Sequence, residues 1–181
     1  MQYSYDDYLR LEDASDTRHE YFGGDIFAMA GGTPEHSALS FQVGVVLKGA
    51  LGSCTALNSD ARVFIAASGL ITYPDMSFVC GRIEKSTLDR QAVVNPSVIV
   101  EVTSPSTDAY DRGEKLRNYQ QLPSVQAVIF IASFGEPRVT VVQRVGDGWS
   151  SSEFLAGSQA SLALHDATFA VDDVFSVLAT L

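Results

Sequence analysis

Apolar residues alternate with polar ones in some stretches of this chain and recur at helical spacing in others, and turn residues separate the two kinds. From Ser4 to about Glu12, Tyr5, Tyr8 and Leu9 make an apolar stripe. Ser4 is the capping residue and Asp7 lies three positions on, so a short helix is expected there. RHEYF and DIFAMA flank Gly23-Gly24, a two-residue hairpin signal. Thr33 and Pro34 then open the longest helix, Thr as cap and Pro at the first helical position. Leu39, Val43, Val46, Leu47 and Ala50 recur at helical spacing along it, and Gly49 and Gly52 mark its end.

NSDARVFIAA and ITYPDMSFVCG read as two strands joined by a turn at Ser68-Gly69. Arg82 to Val94 is a polar connection with room for one helical turn. NPSVIVEVTSPST is a strand bounded by Asn95-Pro96 and Ser104-Pro105. A helix starting at Asp108 or Asp111 runs to about Leu122, where Pro123 stops it. AVIFIASF and RVTVVQRV are strands, and the segment Trp149 to Phe154 closes a hairpin after GDG. Val171 to Leu181 reads as a terminal helix capped by Asp172. The order predicts one α/β domain over residues 1–181, with a mixed sheet.

Composition adds three constraints. The 181 residues suffice for one substantial core, with 46% hydrophobic and 19% charged positions. No apolar run approaches membrane-spanning length, and the acidic start MQYSYDDYLRLEDASD lacks a signal-peptide pattern. A cytoplasmic location is therefore the expectation, and Cys54 and Cys80 are expected as reduced core thiols rather than a disulfide. A cysteine metal site is not expected, because no CxxC and no nearby paired His accompany them. The net charge of −10 repels nucleic acid at long range. A nucleic-acid function would need a local basic strip, a metal ion or a partner.

Against this background some polar residues are conspicuous. Val98, Val100 and Val102 alternate with Ile99, Glu101 and Thr103, so both faces of that strand are β-branched and it reads as a central strand. Glu101 inside it is costly unless a cation or several donors meet it. It is either near the strand end, close to solvent or paired with an Arg, or else a ligand or an acid/base. Asp75 is either a turn residue after Pro or a second carboxylate on a core-like strand. The preceding Pro74 marks an edge, a bulge or the start of regular pairing.

Lys115 shares a helix face with Tyr119 and Leu122. It either snorkels to water or reaches the sheet that holds Glu101. Glu20, in RHEYF, suits a surface salt bridge or an acidic site. His36 lies near the start of the long helix and could cover the same area. Two carboxylates on adjacent strands make an oxygen-rich pocket for Mg²⁺ or Mn²⁺. A nearby lysine neutralises developing charge, and the set suits phosphodiester hydrolysis.

The segments DTRHEYFGGDIFAMAGGTPEHS, YPD, NPSVIVEVTSPSTDAYDRGEKLRNYQQLPSV and EPRV resemble the Uma-two family of restriction endonucleases, a branch of the PD-(D/E)XK nuclease superfamily. They extend from about Tyr8 to Val145. The resemblance implies a restriction-endonuclease-like fold, a mixed β-sheet core flanked by helices. It also implies an Mg²⁺- or Mn²⁺-dependent endonuclease acting on DNA, and a homodimer. Asp75 and Glu101 match the superfamily's metal-binding acids. The usual lysine position, two residues after the second acid, holds Thr103 here, and the resemblance points instead to Lys115. Glu20 matches an additional acid. Tyr110 and Asp111 lie in the matching DAYDRGEK, Asp111 with an expected role at the helix start. The strand QAVIFIA departs from the family's acidic-aromatic start.

Two other readings stand beside this one. The first is a silent nuclease scaffold serving as an interaction or regulatory module. Net charge −10 favours it, as does the balance of three acids (Asp108, Asp111, Glu114) and three bases (Arg112, Lys115, Arg117) on the site helix. The second is a hydrolase of small phosphorylated substrates, but AMAGGTP lacks the lysine of a phosphate-cradling loop.

Overall fold

The structure is a computed structural model and describes residues 2–29 and 31–181. Its first helix, α1 (Tyr5–Ala14), begins in a reciprocal cap. Ser4 Oγ accepts the Asp7 N–H at 3.2 Å, and the Asp7 carboxylate accepts the Ser4 N–H at 2.9 Å. β1 (His19–Phe22) and β2 (Asp25–Ala28) form the expected hairpin, with Gly23 and Gly24 at φ 60° and 91°. Both angles lie where side-chain-bearing residues are strained. The strand expected over DIFAMA ends at Ala28, and Ala30 lies outside the described residues. α2 (Pro34–Leu51) is capped by Thr33, whose Oγ1 accepts the His36 N–H at 3.3 Å. It runs through Gly49 and stops at Gly52.

β3 (Thr55–Asn58) ends where the first of the two strands expected next was to begin. That strand is β4 (Val63–Ile65) alone, and the second is divided between β5 (Leu70–Thr72) and β6 (Met76–Val79). The chain changes sheet at Tyr73-Pro74-Asp75. β5 ends in one sheet and β6 begins in another, because Pro74 has no N–H to continue a ladder. The connection from Arg82 to Val94 contains no helical turn and is tied down by bridges from Val93 to Val63 and Lys85.

β7 (Val98–Thr103) carries Glu101. The helical segment after it comprises α3 (Asp108–Tyr110), a π-helical turn (Asp111–Lys115) and α4 (Leu116–Tyr119). β8 (Ala127–Ala132), β9 (Arg138–Val145) and β10 (Gly148–Leu155) follow. β11 (Gln159–Leu162) and β12 (Ala167–Ala170), which periodicity does not reveal, are joined by a 3-10 turn (Leu164–Asp166). α5 (Val171–Phe175) continues as a 3-10 turn (Ser176–Thr180) rather than as one long helix. Asp172 sits inside its first turn and accepts the Gly157 N–H at 2.9 Å, so it clamps a loop instead of capping the helix.

The main sheet has six strands in the order β10-β9-β8-β7-β6-β3, all antiparallel except the β7–β8 pair. A second sheet has the order β2-β1-β5-β4. The two faces of β7 serve two cores. Val98, Val100 and Val102 pack with Leu39, Val43 and Leu47 of α2. On the other face Ile99 packs with Tyr119 and Leu122, and with Ile65 and Leu70 of the second sheet. β7 is thus covered on both sides and all six of its residues are buried. This is the mixed sheet flanked by helices that the sequence predicts. Among the described residues no helix is long and apolar enough to cross a membrane.

Cys54 and Cys80 form a disulfide, which corrects the expectation of reduced thiols. The antiparallel register of β3 and β6 pairs Thr55 with Val79, and one step further it sets the two cysteines opposite each other. That neighbourhood comes from strand pairing across 26 residues of sequence.

Candidate active site

Glu101 points from the centre of the main sheet toward the side covered by the second sheet and the helical segment. It is 4% exposed, far from the wet strand end that the residue alone also allowed. The β6–β7 register pairs Met76 with Val100, so one step further Asp75 comes opposite Glu101. Opposed residues of an antiparallel pair project to the same face. Asp75 lies where regular pairing ends, and its Oδ2 accepts the Val102 N–H at 2.7 Å in place of a backbone carbonyl. Pro74 therefore frees Asp75 from the ladder, and Val102 fixes it beside β7.

Lys115 closes the group from the helical segment. Its Nζ lies 2.9 Å from Glu20 Oε1, 3.4 Å from Glu101 Oε1 and 3.7 Å from Asp111 Oδ1. It is 7% exposed, so the lysine reaches the carboxylates rather than snorkelling to water. The π-helical turn runs from Asp111 to Lys115. Such turns are frequent at functional sites. Both of its end residues are buried, so Asp111 faces the site instead of supporting the helix start, which lies at Asp108. The Tyr110 ring centroid is 5.8 Å from Lys115 Nζ.

Glu20 arrives from β1 and is buried, held by a hydrogen bond from the Thr72 hydroxyl. The Tyr119 hydroxyl donates to Glu101 Oε1 at 2.5 Å. Thr72 and Tyr119 were not singled out as site residues from the sequence. For Tyr119 the signal was present, since it shares the Lys115 face one helical turn on. For Thr72 it was absent, because its partner comes from a different hairpin. Thr103 is fully buried, and the ammonium beside Glu101 is that of Lys115.

The electrostatics follow from crowding. Burial pushes the Glu101 carboxyl up to about 8; the Lys115 charge opposes this, and Asp75 and Asp111 add to it. Burial likewise raises Asp111. For Lys115 burial opposes the charged form, but Glu101, Tyr119, Glu20 and Asp111 outweigh it and hold the ammonium above its ordinary range. Burial lifts the Tyr110 hydroxyl to about 12. His36 Nε2 lies 3.3 Å from Asp75 Oδ2, and that contact raises the imidazole above its ordinary value.

Asp75 and His36 line a cleft of about 620 Å³ that also touches Thr17, Arg18, Phe41 and Asn58. Glu20, Glu101 and Lys115 are not among its lining residues. The cleft's arginine, Arg18, is ion-paired with Asp60 and bonded to the Ser59 carbonyl at 2.9 Å.

Among the described residues no three of Glu20, Asp75, Glu101 and Asp111 bring one oxygen each within 4.8 Å of one another, so the set suits a hard divalent cation by its chemistry and not as a preformed three-oxygen cage. Glu20, Asp75, Glu101 and Asp111 outnumber the one ammonium among them, and carboxylate oxygens suit Mg²⁺ or Mn²⁺. Glu101 Oε1 and Asp75 Oδ2 accept the hydrogen bonds, and no hydrogen bond or ion pair among the described residues engages Glu101 Oε2 or Asp75 Oδ1.

The mixed sheet flanked by helices is a nuclease-like fold. The family described as "Putative restriction endonuclease" (Uma2) matches residues 5–172, and the chain belongs to that family. Two uncharacterized proteins of Synechocystis are similar. One, slr1290, is 36% identical over 96% of this chain and 92% of its own length. The other, sll1609, is 31% identical over 86% and 89%. A crystal structure from Anabaena variabilis, described as a "putative nuclease belonging to DUF820", shares the fold. Its TM-score is 0.75 at 18% identity, covering 96% of this chain and 97% of that one.

Proposed function

We propose that this protein is a divalent-metal-dependent endonuclease that hydrolyses DNA phosphodiester bonds. The observation that carries this reading is the convergence on one spot of Glu101, the opposed Asp75 and the Lys115 ammonium, from β7, β6 and the helical segment. Asp75 and Glu101 would hold Mg²⁺ or Mn²⁺, which when bound supplies an acidified water and charge neutralisation at the phosphoryl oxygens.

The chain's own groups divide the remaining work. Lys115 is held protonated, so it neutralises negative charge developing on the phosphate and does not take the proton of the attacking water. Glu20 and Asp111 hold that ammonium in place. Tyr119 fixes one oxygen of Glu101, leaving the other for the ion. His36 sits over Asp75 at the cleft floor, where a substrate phosphate would arrive. The water oxygen bonds to phosphorus and gives up one proton to solvent, the bond to the leaving sugar oxygen breaks, and that oxygen takes a proton from solvent.

A catalytically silent scaffold acting through a protein partner is the second reading. It is favoured by the net charge of −10 and by the neutralised arginine of the cleft. Mn²⁺ calorimetry on wild type and on Asp75→Ala/Glu101→Ala, followed by cleavage assays on DNA and RNA, separates the two. The nuclease reading requires binding that the double variant loses and cleavage that depends on the ion. Metal-loaded protein that cuts no nucleic acid would leave the scaffold reading.

A further inference from the structure

At the opposite end of β6 from Asp75, about 16 Å along the strand, lies a second constellation. Cys54 precedes β3, Cys80 follows β6, and His165 sits in the turn between β11 and β12. One ligand atom from each lies within 4.8 Å of the others, and His165 Nε2 is 3.6 Å from Cys54 Sγ. Three segments far apart in sequence thus bring two sulfurs and an imidazole together. The turn that delivers the imidazole is unusual. His165 (φ 60°) and Asp166 (φ 48°) are consecutive left-handed residues, and neither is glycine. Side-chain-bearing residues adopt that region at a cost, so the packing around the turn enforces it. The hairpin on either side is anchored, because Ala160, Leu162, Ala167 and Phe169 share one core with Cys54, Phe78 and α2. Cys54 is fully buried, Cys80 partly so, and His165 is exposed, which gives the cluster a dry interior and an open side.

We infer that reduction of the Cys54–Cys80 disulfide creates a thiophilic metal site, Zn²⁺ being the fitting ion, with Cys54 Sγ, Cys80 Sγ and His165 Nε2 as its ligands. Two thiolates and an imidazole are a donor set that zinc accepts and that hard ions such as Mg²⁺ do not. The chemistry balances. A dithiol reductant gives two electrons and two protons to the S–S bond and becomes a disulfide itself. Zn²⁺ then displaces both thiol protons to solvent, and the two thiolate charges cancel that of the ion. Water completes the coordination from the open side. Oxidation of the pair removes two of the three ligands, so the ion is held in the reduced protein only. Bound there, it ties the edge of the main sheet to the β11–β12 hairpin. This site is distinct from the carboxylate cluster and does not depend on the nuclease reading.

The test uses the full chain, reduced with a phosphine or left oxidised, and titrated with Co²⁺ and then with Zn²⁺. The reduced protein is expected to bind one Co²⁺ with a thiolate-to-cobalt charge-transfer band, and Zn²⁺ is expected to abolish that band. The oxidised protein is expected to show none. His165→Asn suits the left-handed turn and is expected to weaken binding at least about tenfold. Cys80→Ser is expected to remove the band, and should it fail to fold, the exposed His165 position still decides. The signal is expected to persist in Asp75→Ala/Glu101→Ala. A reduced wild type without the band, an unchanged affinity in His165→Asn, or loss of the signal in the carboxylate double variant would each overturn the assignment.

Discussion

The Asp75 carboxylate accepts the backbone N–H of Val102 at 2.7 Å, one residue beyond the Glu101 that it opposes. A candidate metal ligand is therefore also a structural plug, filling the place of a strand partner that Pro74 removes. The two roles separate in two substitutions. Asp75→Asn keeps an oxygen for the N–H and loses the charge, whereas Asp75→Ala loses both. Asp75→Asn is expected to abolish Mn²⁺ binding with little change in stability. Asp75→Ala is expected to lose binding and also about 1–3 kcal/mol, the cost of an unsatisfied buried donor. Calorimetry with urea denaturation checks both. Equal stability of the two variants would show that the Val102 contact carries no weight.

Lys115 is the counter-charge of the cluster. Replacing it with Met leaves Glu20, Glu101 and Asp111 buried without their cation. Breaking such a group by removing one partner costs about 3–5 kcal/mol. The loss is expected to be larger at pH 8 than at pH 5, where the carboxyls can take up protons. Mn²⁺ is expected to restore part of it by binding the native state. Thermal melts of Lys115→Met in EDTA and in Mn²⁺ read this directly. Any nuclease activity of wild type is expected to be lost even when the variant is folded and metal-loaded.

Much of this arrangement was legible in the sequence, because its signals were local. Ser4 with Asp7, Thr33 with Pro34 and Gly23-Gly24 fix helix starts and a hairpin through contacts within a few residues, and the structure has all three. The alternating valines around Glu101 revealed a strand covered on both faces. What stayed hidden depends on pairing at a distance. Pro74 signalled a break in pairing beside Tyr73, but not that β5 and β6 would join different sheets. Cys54 and Cys80 meet only through the β3–β6 register. Asp111 stands four residues before Lys115 and so shares its face, a placement that helical spacing offered but that the expected role at the helix start passed over. β11 and β12 alternate exposed and buried residues, but over only four positions each, too short a run to stand out.

The acid-rich cluster also sets how stability varies with pH. The Glu101 carboxyl is raised to about 8, from an ordinary value of 4.5, so the folded protein binds that proton more tightly than the unfolded chain. Its contribution is full below about pH 4.5 and is lost as pH rises through 8. Asp111 and His36 are raised too and act in the same direction. Lys115 is raised above 10.5, so its contribution is still intact in this window. Asp7, Glu35 and Asp108 are lowered, and their effect falls at or below the ordinary carboxylate range. In EDTA the melting temperature is expected to fall between pH 5 and pH 8.5. Glu101→Gln is expected to flatten that slope. A slope that Glu101→Gln leaves unchanged would place the titration elsewhere.

A second buried ion pair supports the cluster from a distance. Arg62 Nε lies 2.6 Å from Asp89 Oδ2, its Nη2 donates to Asp89 Oδ1 at 3.0 Å, and both residues are 5% exposed or less. Arg62 Nη1 also donates to the Tyr73 hydroxyl at 3.3 Å, and Tyr73 donates to Glu12 Oε1 at 2.6 Å. The other Glu12 oxygen accepts the His19 N–H at 3.0 Å, next to Glu20. The chain of contacts thus joins the Arg82–Val94 connection, the sheet switch before Asp75 and the strand that carries Glu20. Arg62→Met strands the Asp89 charge and is expected to cost about 3–5 kcal/mol. Arg62→Met/Asp89→Leu removes both charges and is expected to recover most of that loss, since a buried pair exchanged for apolar groups is often neutral. Denaturant unfolding of the wild type, the two single variants and the double variant gives the coupling between them. Near-zero coupling would show that the pair is no clamp.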